Sequence, residues 1–260
     1  MAKRKKTITA GNIVKTIIYT APEPCDSARA RGVKSRMTTA AQKAINDKTA
    51  RGRLEMLLSA NFVGHDLFVT LTYRDADLPE KRAAAVENVH KFLKHLRAHR
   101  RARGQLLKYI YTTENKHGDV RLHHHLVINA TERDLEAIHS LWTFGDIIDL
   151  EYVSKYGYET LALYITKEGV EYRPVGAQMW TGSRNLEKPK VEISYVPNDT
   201  TLTVPPGCFV LEREEKMTEY GHYCYIKYEI PAWYKNGADR RRASDFKEKA
   251  GPCYLTCNNI

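Results

Sequence analysis

The alternation of apolar and polar positions predicts a regular series of helices and strands through the middle of the chain. Apolar residues recur at near-helical spacing in four segments, about 39–59, 79–102, 131–142 and 157–169. Runs of β-branched and aromatic residues predict strands in four others, 66–73, 106–114, 120–129 and 146–153. From residue 66 onward the order is β-α-β-β-α-β-α. It predicts an α+β fold, with helices packed on a mostly antiparallel sheet.

Local residues indicate where several of these elements begin and end. The Thr39-Ala-Ala-Gln42 stretch is a capping box for the first helix, and Thr131 is a candidate N-cap for the third. The Lys-His-Gly-Asp turn at 116–119 joins two strands as a hairpin, and Gly169 is a C-terminal stop for the last helix.

Outside this middle section the pattern is weaker. Residues 1–36 lack sustained periodicity and are predicted to form an arm, and a loop is predicted to reach about residue 190. Strand-like segments follow at 191–196, 207–213 and 222–229. We therefore predict three regions, which are a basic arm and helix (1–53), a main domain (54–232) and a polar C-terminal tail (233–260).

Composition narrows the class of protein. The chain has 260 residues, of which 42% are hydrophobic and 28% charged, as expected for a globular protein. It has no apolar run of transmembrane length, no secretory h-region and no P-loop. Five scattered cysteines without a CxxC pair argue against a disulfide framework. These features predict a cytoplasmic protein that does not bind membranes.

The positive charge is concentrated at the start of the chain. Residues 1–53 contain 13 Lys and Arg against 3 Asp and Glu, whereas residues 54–260 contain 28 of each class. A basic segment beside a neutral body favours a polyanionic partner, because Lys and Arg that neutralise phosphates release condensed counterions. A solubilising tail is the alternative interpretation.

A histidine triplet is the strongest candidate for chemistry. Side chains alternate along a strand, so His123 and His125 should point the same way about 7 Å apart, while His124 points to the opposite face. Two imidazoles on one face can bind a divalent metal ion, although a lone strand histidine is more often a core residue. Glu114, at the end of the neighbouring strand, is a candidate third ligand that suits Mg²⁺ or Mn²⁺ as well as Zn²⁺.

Weaker candidates follow along the chain. Helical spacing places Tyr164, Lys167 and Glu168 on one face, and a tyrosine near a cation can act as a nucleophile. Arg184 and Lys188 lie in a loop and could contact phosphates. Each signal is weak alone, since tyrosines and basic loops are common.

Together these segments resemble the HUH endonuclease superfamily, specifically the replication initiator (Rep) proteins of rolling-circle plasmids, single-stranded DNA phages and related mobile elements. The segment FVTLTY (68–73) looks like the first family motif, RLHHHLVI (121–128) like the His-hydrophobic-His motif and ALYITK (162–167) like the Tyr-x-x-Lys motif. The resemblance covers about 40–190. It implies an RRM-like or palm fold around a central, mostly antiparallel five-stranded sheet.

The resemblance also implies a mechanism. His123, His125 and Glu114 would hold Mg²⁺ or Mn²⁺, which would orient and polarise the scissile phosphate. Tyr164 would attack single-stranded DNA at a hairpin replication origin, leaving a 5′-phosphotyrosine and a free 3′-OH, and Lys167 would stabilise the charge. Host helicase and polymerase in a bacterial cytoplasm would be the further partners. The residues expected to contact the DNA are Thr72, Arg121, Arg184 and Lys188.

Two positions depart from the family pattern. His124 occupies a place that is usually bulky and apolar, and Glu168 stands where some phage initiators carry a second tyrosine. Because Glu168 is at i+4 from Tyr164, we hypothesise that its carboxylate activates water to end the reaction by hydrolysis.

Three other functions remain open at this stage. A single-tyrosine transposase or relaxase would use the same chemistry. A non-catalytic RRM-like module would bind single strands by stacking bases on Tyr73, Tyr109 and Tyr111. A zinc-dependent hydrolase would need a further histidine or cysteine near the pair.

Overall fold

The computed structural model describes residues 2–21, 40–114, 121–145, 148–155, 157–167, 178–218 and 221–231. Its helices are α1 (Ala40–Asn61), α2 (Arg82–Arg101), α3 (Asp134–Leu141) and α4 (Gly157–Ile165). Its strands are β1 (Ala2–Ala10), β2 (Ile13–Ala21), β3 (Leu67–Leu71), β4 (Tyr109–Glu114), β5 (His123–Ile128), β6 (Ile148–Tyr152), β7 (Thr181–Gly182), β8 (Lys190–Val196), β9 (Phe209–Thr218) and β10 (Gly221–Glu229). The chain divides into two compact units, one of residues 34–188 and one that combines 1–33 with 189–260.

The unit of residues 34–188 is built on a five-stranded sheet. The strand order is β6-β3-β5-β4-β7, and every neighbouring pair is antiparallel. The predicted α+β class with a five-stranded antiparallel sheet is therefore confirmed, and the arrangement is consistent with an RRM-like or palm fold. Strand β5 lies in the centre of this sheet, so side chains on both of its faces are covered.

Alternation along the strands separates the core into two layers. Leu67, Val69 and Leu71 of β3 pack with α2 and α3, whereas Phe68 packs with α1 and α4 on the opposite face. Helix α2 contributes one apolar face to the first layer, as its sequence pattern predicts. Its buried apolar side chains are Ala85, Val89, Phe92, Leu93 and Leu96.

The start of α3 differs from the prediction. The helix begins at Asp134, and the residue before it, Arg133, has a φ of 64°. Thr131 is not the N-cap, because its backbone N–H and hydroxyl both donate to the Asp134 carboxylate. That carboxylate also accepts two bonds from the fully buried guanidinium of Arg100, at 2.9 and 3.2 Å. The acid of the first turn therefore anchors α3 to α2.

The other unit contains a second antiparallel sheet, in the order β8-β1-β2-β10-β9. Residues 2–21 form the hairpin β1–β2 inside this sheet, so the prediction of an arm without regular structure is wrong for them. The lysines of β1 hid its alternation, but a local signal was present. Gly11 and Asn12 form a two-residue turn, in which Gly11 has a φ of 56°.

Other predictions from the sequence have mixed outcomes. The strand-like segments near 191–196, 207–213 and 222–229 are confirmed as β8, β9 and β10. The turn at 116–119, Thr39, Gly169 and the tail 233–260 lie outside the described residues, and the domain boundaries after residues 53 and 232 stay predictions. Within the described part of the chain, none of the helices has the sustained apolar stretch that a membrane span requires.

Candidate active site

His123 and His125 project from the same face of β5, towards the layer formed by α1 and α4. Their Nε2 atoms lie 3.0 Å apart, and their rings meet edge to face with centres 4.6 Å apart. Alternation along the strand predicted this shared face, whereas the convergence of the two rings is a result of their tertiary contacts.

Glu114 completes a group of three possible metal ligands. Strand pairing puts Glu114 directly opposite His123. Its Oε2 atom lies 3.3 Å from Nε2 of His123, and its Oε1 atom lies 3.7 Å from Nε2 of His125. The Oε1 atom is buried and has no hydrogen-bond partner. Because a buried carboxylate oxygen without a partner is costly, the position favours a bound cation.

Two hydrogen bonds orient the imidazoles. Nδ1 of His123 lies 2.7 Å from the carbonyl oxygen of Arg121, and Nδ1 of His125 lies 3.1 Å from the hydroxyl of Thr70. The carbonyl can only accept, so it keeps the proton on Nδ1 of His123 and leaves Nε2 of the neutral ring available to a metal. Phe68 stacks on the other side of the His125 ring, with centres 5.6 Å apart and planes 15° apart.

Thr70 and Phe68 were missed as functional residues by the sequence analysis. Both lie in the first family-like motif, and their side chains share one face of β3. That alternation was the available signal, but only the pairing of Thr70 with His125 shows which strand they support.

His124 belongs to the opposite face and is a core residue. It is completely buried, and its two ring nitrogens lie 2.7 Å from the Tyr73 hydroxyl and 2.9 Å from the Thr113 hydroxyl. Burial lowers the pKa of His124 to about 3, so its ring is neutral at ordinary pH. Its hydrogen-bonding capacity is used within the core, which leaves His123 and His125 as the pair available to a ligand.

Tyr164 lies against this group from α4. Its ring contacts His125 edge to face, with centres 4.8 Å apart, and it meets Phe68 at 5.7 Å. Lys167 lies just beyond the helix, which ends at Ile165 rather than near residue 169 as predicted. The Nζ atom of Lys167 is 3.7 Å from the centre of the Tyr164 ring and 3.2 Å from Oε2 of Glu114. The tertiary structure therefore brings nucleophile, cation and ligand group together.

The charges of the group are mutually stabilising. Burial raises the pKa of Glu114, but hydrogen bonds with His123 and His125 and the charge of Lys167 outweigh it and hold that pKa well below its usual range. Burial lowers the pKa of His123, yet its bond to Glu114 produces a net increase. For His125 burial dominates, and the pKa falls. Glu114 is thus ionised whenever the histidines are available as ligands.

The predicted DNA-contacting residues divide into two groups. Thr72 follows Leu71, which pairs with His124, so it lies near the His123 end of the sheet. Arg121 lies there as well, and its half-exposed guanidinium donates to the Asp75 carboxylate and to the Tyr73 carbonyl.

Arg184 and Lys188 lie at the other end of β4. Their loop is bonded to the start of this strand, through Ser183 to Tyr109 and Asn185 to Leu107. The strand spans about 17 Å from there to Glu114, at roughly 3.4 Å per residue. The structure therefore does not bring these two cations to the ligand group, and a DNA contact by them stays a prediction. Glu168 lies outside the described residues.

The residues present fit a divalent metal ion. Glu114, His123 and His125 each offer a ligand atom, and these atoms lie within 4.8 Å of one another. Two imidazoles and a carboxylate suit several divalent ions, among them Mg²⁺ and Mn²⁺ when water fills the remaining positions. The described residues contain a second such group, Glu215, His222 and Cys224, in the other unit.

The structure weakens the alternative of a base-stacking module. Tyr73 and Tyr111 are each only 4% exposed and pack in the layer formed with α2 and α3. Tyr109 is partly buried, beneath the guanidinium of Arg97 at 5.8 Å. A zinc hydrolase also gains no support, because in the described part of this unit the ligand group includes neither a third histidine nor a cysteine.

Comparison with known proteins gives one result. Residues 66–169 match the family model of replication-associated proteins of the ORF2 type. A search of curated proteins found no match to the chain, and neither did a search of solved structures. The matched region contains β3, the ligand group and α4, but it is less than half of the chain. The match supports a replication-associated, Rep-type protein.

Proposed function

We propose that the protein is a rolling-circle replication initiator that nicks one strand of single-stranded origin DNA with Tyr164. The observation that carries this proposal is the convergence of Glu114, His123 and His125 with Tyr164 and Lys167 on one face of the sheet. The family match over the same region supports it. A single-tyrosine transposase or relaxase would use the same group, so the experiments below test the chemistry first.

Each residue has a defined part in the reaction. The Tyr164 oxygen attacks phosphorus, one P–O bond forms and the bond to the 3′ oxygen breaks. The phenol loses its proton and the departing 3′ oxygen gains one, so the products are a 5′-phosphotyrosine and a free 3′-OH. Because the number of P–O bonds is unchanged, the reversal rejoins strands without a nucleoside triphosphate. The ammonium of Lys167 stabilises negative charge on the phenolate and on the phosphate.

Glu114, His123 and His125 are the residues that would hold Mg²⁺ or Mn²⁺. When bound, such an ion supplies Lewis-acid polarisation and orientation of the phosphate. The protein contributes the orientation of the ligands, through the Thr70 hydroxyl and the Arg121 carbonyl.

Termination by Glu168 remains part of the proposal. A carboxylate near the phosphotyrosine would activate water and release the protein from DNA. The measurement is the half-life of the covalent adduct in Glu168→Gln. A longer half-life with unchanged nicking supports the role, whereas an unchanged half-life rejects it.

An adduct assay tests the nicking reaction directly. Labelled single-stranded oligonucleotides that tile the DNA element encoding the protein are mixed with the protein and Mn²⁺, then separated under denaturing conditions. We expect an SDS-stable shifted band that disappears with EDTA and in Tyr164→Phe. Tyr158→Phe is the matched control, because the Tyr158 hydroxyl lies on the same helix but donates to the Phe62 carbonyl at 2.6 Å. A band that persists in Tyr164→Phe would reject this nucleophile.

A further inference from the structure

One face of the sheet in the other unit combines basic, aromatic and aliphatic side chains. Alternation along β1 puts Arg4, Lys6 and Ile8 on one face. Strand pairing places residues of β8 on one side of them and residues of β2 on the other. We call this set the tyrosine–basic face, and its members are Val191, Ile193 and Tyr195 of β8, Arg4, Lys6 and Ile8 of β1, and Lys15, Ile17 and Tyr19 of β2.

The charge of these nine residues is entirely positive. Three of them are basic and none is acidic. The acidic residue of β8, Glu192, pairs with Thr7 and therefore belongs to the opposite face. The acids Glu212 and Glu214 lie on the far edge strand, β9, where each already has a basic partner. A ligand for the tyrosine–basic face is thus expected to be anionic, because charge complementarity favours that encounter.

The aromatic and basic groups are in direct contact. Nη2 of Arg4 donates to the Tyr195 hydroxyl at 2.7 Å, and the guanidinium carbon lies 5.0 Å from the centre of that ring. The Nε atom of Arg4 is buried and has no hydrogen-bond partner. Tyr195 itself is 54% exposed, and Val191 and Ile193 beside it are 52% and 58% exposed. The edge strand therefore presents an open, partly apolar surface next to cations.

The row continues across the sheet. Tyr223 precedes Cys224, which pairs with Ile18, so Tyr223 is adjacent to Tyr19. Lys216 pairs with Tyr223, and its Nζ atom lies 5.2 Å from the centre of that ring. Aromatic and basic side chains thus follow a line that crosses all five strands.

We propose that the tyrosine–basic face binds single-stranded DNA, with Arg4, Lys6 and Lys15 on the phosphates and Tyr19 and Tyr195 against the bases. Sequence-tolerant stacking on aromatics beside a basic track is how proteins hold single strands. Paired bases in a duplex do not expose their faces to such stacking, so the unpaired strand is the ligand that fits. The proposal rests on the proposed function, which supplies single-stranded DNA as the substrate, and gives the second unit the task of holding it.

The electrostatic part has a matched test on one strand. Binding of a fluorescent oligothymidylate to the full chain is measured by anisotropy in EDTA at several salt concentrations. The double variant Arg4→Gln with Lys6→Gln should bind about tenfold more weakly, and its salt slope should fall by about 1.4, for two lost phosphate contacts. The control Lys3→Gln with Lys5→Gln removes the same charge from the opposite face of β1, and it should change affinity by less than about twofold. Equal losses in the two double variants would overturn the proposal.

The stacking part is tested separately. Tyr195→Leu should weaken binding about tenfold with an unchanged salt slope, whereas Ser194→Ala on the opposite face should have little effect. Photocrosslinking the unmodified chain to an oligonucleotide that carries 5-bromodeoxyuridine avoids any question of variant folding. Crosslinks at Tyr19 or Tyr195 support the proposal, and crosslinks confined to residues 34–188 contradict it.

The outcomes separate this proposal from the proposed function. If no covalent adduct forms on any oligonucleotide but the Arg4 and Lys6 variant still binds weakly, the nicking proposal fails and the tyrosine–basic face stands. If adducts form and this variant binds as the wild type does, the face is wrong and nicking stands. If Tyr195→Leu instead abolishes self-association of the chain and leaves DNA binding intact, the face is an interface between copies and the proposal is rejected.

Discussion

Lys167 and Glu114 form an ion pair in which the Nζ atom lies 3.2 Å from Oε2. The carboxylate is buried at the end of β4, whereas the ammonium is about two-fifths exposed and lies beyond α4. The same ammonium lies over the Tyr164 ring at 3.7 Å. Lys167 therefore links the candidate nucleophile to the candidate metal ligands, and its removal should affect chemistry more than folding.

We predict that Lys167→Met reduces the rate of adduct formation by about 100-fold, as expected when a positioned charge-stabilising group is lost. Lys167→Arg should keep part of the rate, because the charge is retained. The measurement is single-turnover adduct formation at saturating oligonucleotide. Lys155→Met is the control, since Lys155 forms an exposed ion pair with Glu151. A Lys167→Met rate close to that of the wild type would remove this residue from the mechanism.

Loss of a ligand should weaken metal binding without unfolding the protein. Glu114→Gln removes the charge but keeps the shape, and the apparent affinity for Mn²⁺ should fall at least about tenfold. Free Mn²⁺ measured by electron paramagnetic resonance gives the affinity, and circular dichroism checks the fold. Glu187→Gln is the control, because Glu187 pairs with Lys108 near the opposite end of β4. If Glu114→Gln binds Mn²⁺ as the wild type does, the ligand group is wrong.

The same metal titration should depend on pH in a predictable direction. Ligand histidines must be deprotonated, and the pKa of His123 is raised by its bond to Glu114. The affinity for Mn²⁺ should therefore begin to fall, on acidification, above the ordinary histidine value of about 6.5. An affinity that stays constant from about pH 8 down to about pH 6 would contradict ligation by this residue.

His124 should make stability depend on pH in the metal-free protein. Its folded-state pKa is about 3, below the ordinary value, because of burial. The stabilisation is complete above the unfolded pKa near 6.5 and is lost as pH falls towards 3, by at most about 1.4 kcal/mol per pH unit. Urea unfolding in EDTA should show a flatter pH dependence for His124→Leu, together with lower stability, because the Tyr73 and Thr113 hydroxyls lose a partner. Parallel pH profiles for the two proteins would reject this account.

The buried pair of Arg100 and Asp134 should be a major contributor to the stability of its unit. Removing one partner leaves a buried charge uncompensated, so Arg100→Met should lower the free energy of unfolding by about 3–5 kcal/mol. Arg101→Met, at the next and exposed position of α2, should change it by less than about 0.5 kcal/mol. Urea unfolding measures both, and similar small effects would show that the pair is not required.

The sequence by itself determined the local features of this protein. Alternation placed His123 and His125 on one face of a strand, and helical periodicity located α2 and α4 with their buried sides. Both are short-range properties, since each depends only on the repeat of the backbone over a few residues. The three family-like motifs depended on the same local patterns.

Only the tertiary structure decided which of these local features meet. Glu114 reaches His123 because β4 pairs with β5 in one particular register, and Lys167 reaches Glu114 because α4 packs on that face. Arg184 looked equivalent to Arg121 in the sequence, but strand pairing puts it at the other end of β4. The N-terminal hairpin likewise finds its neighbours in β8 and β10, far along the chain. Such contacts depend on register and packing between distant segments, which local periodicity does not encode.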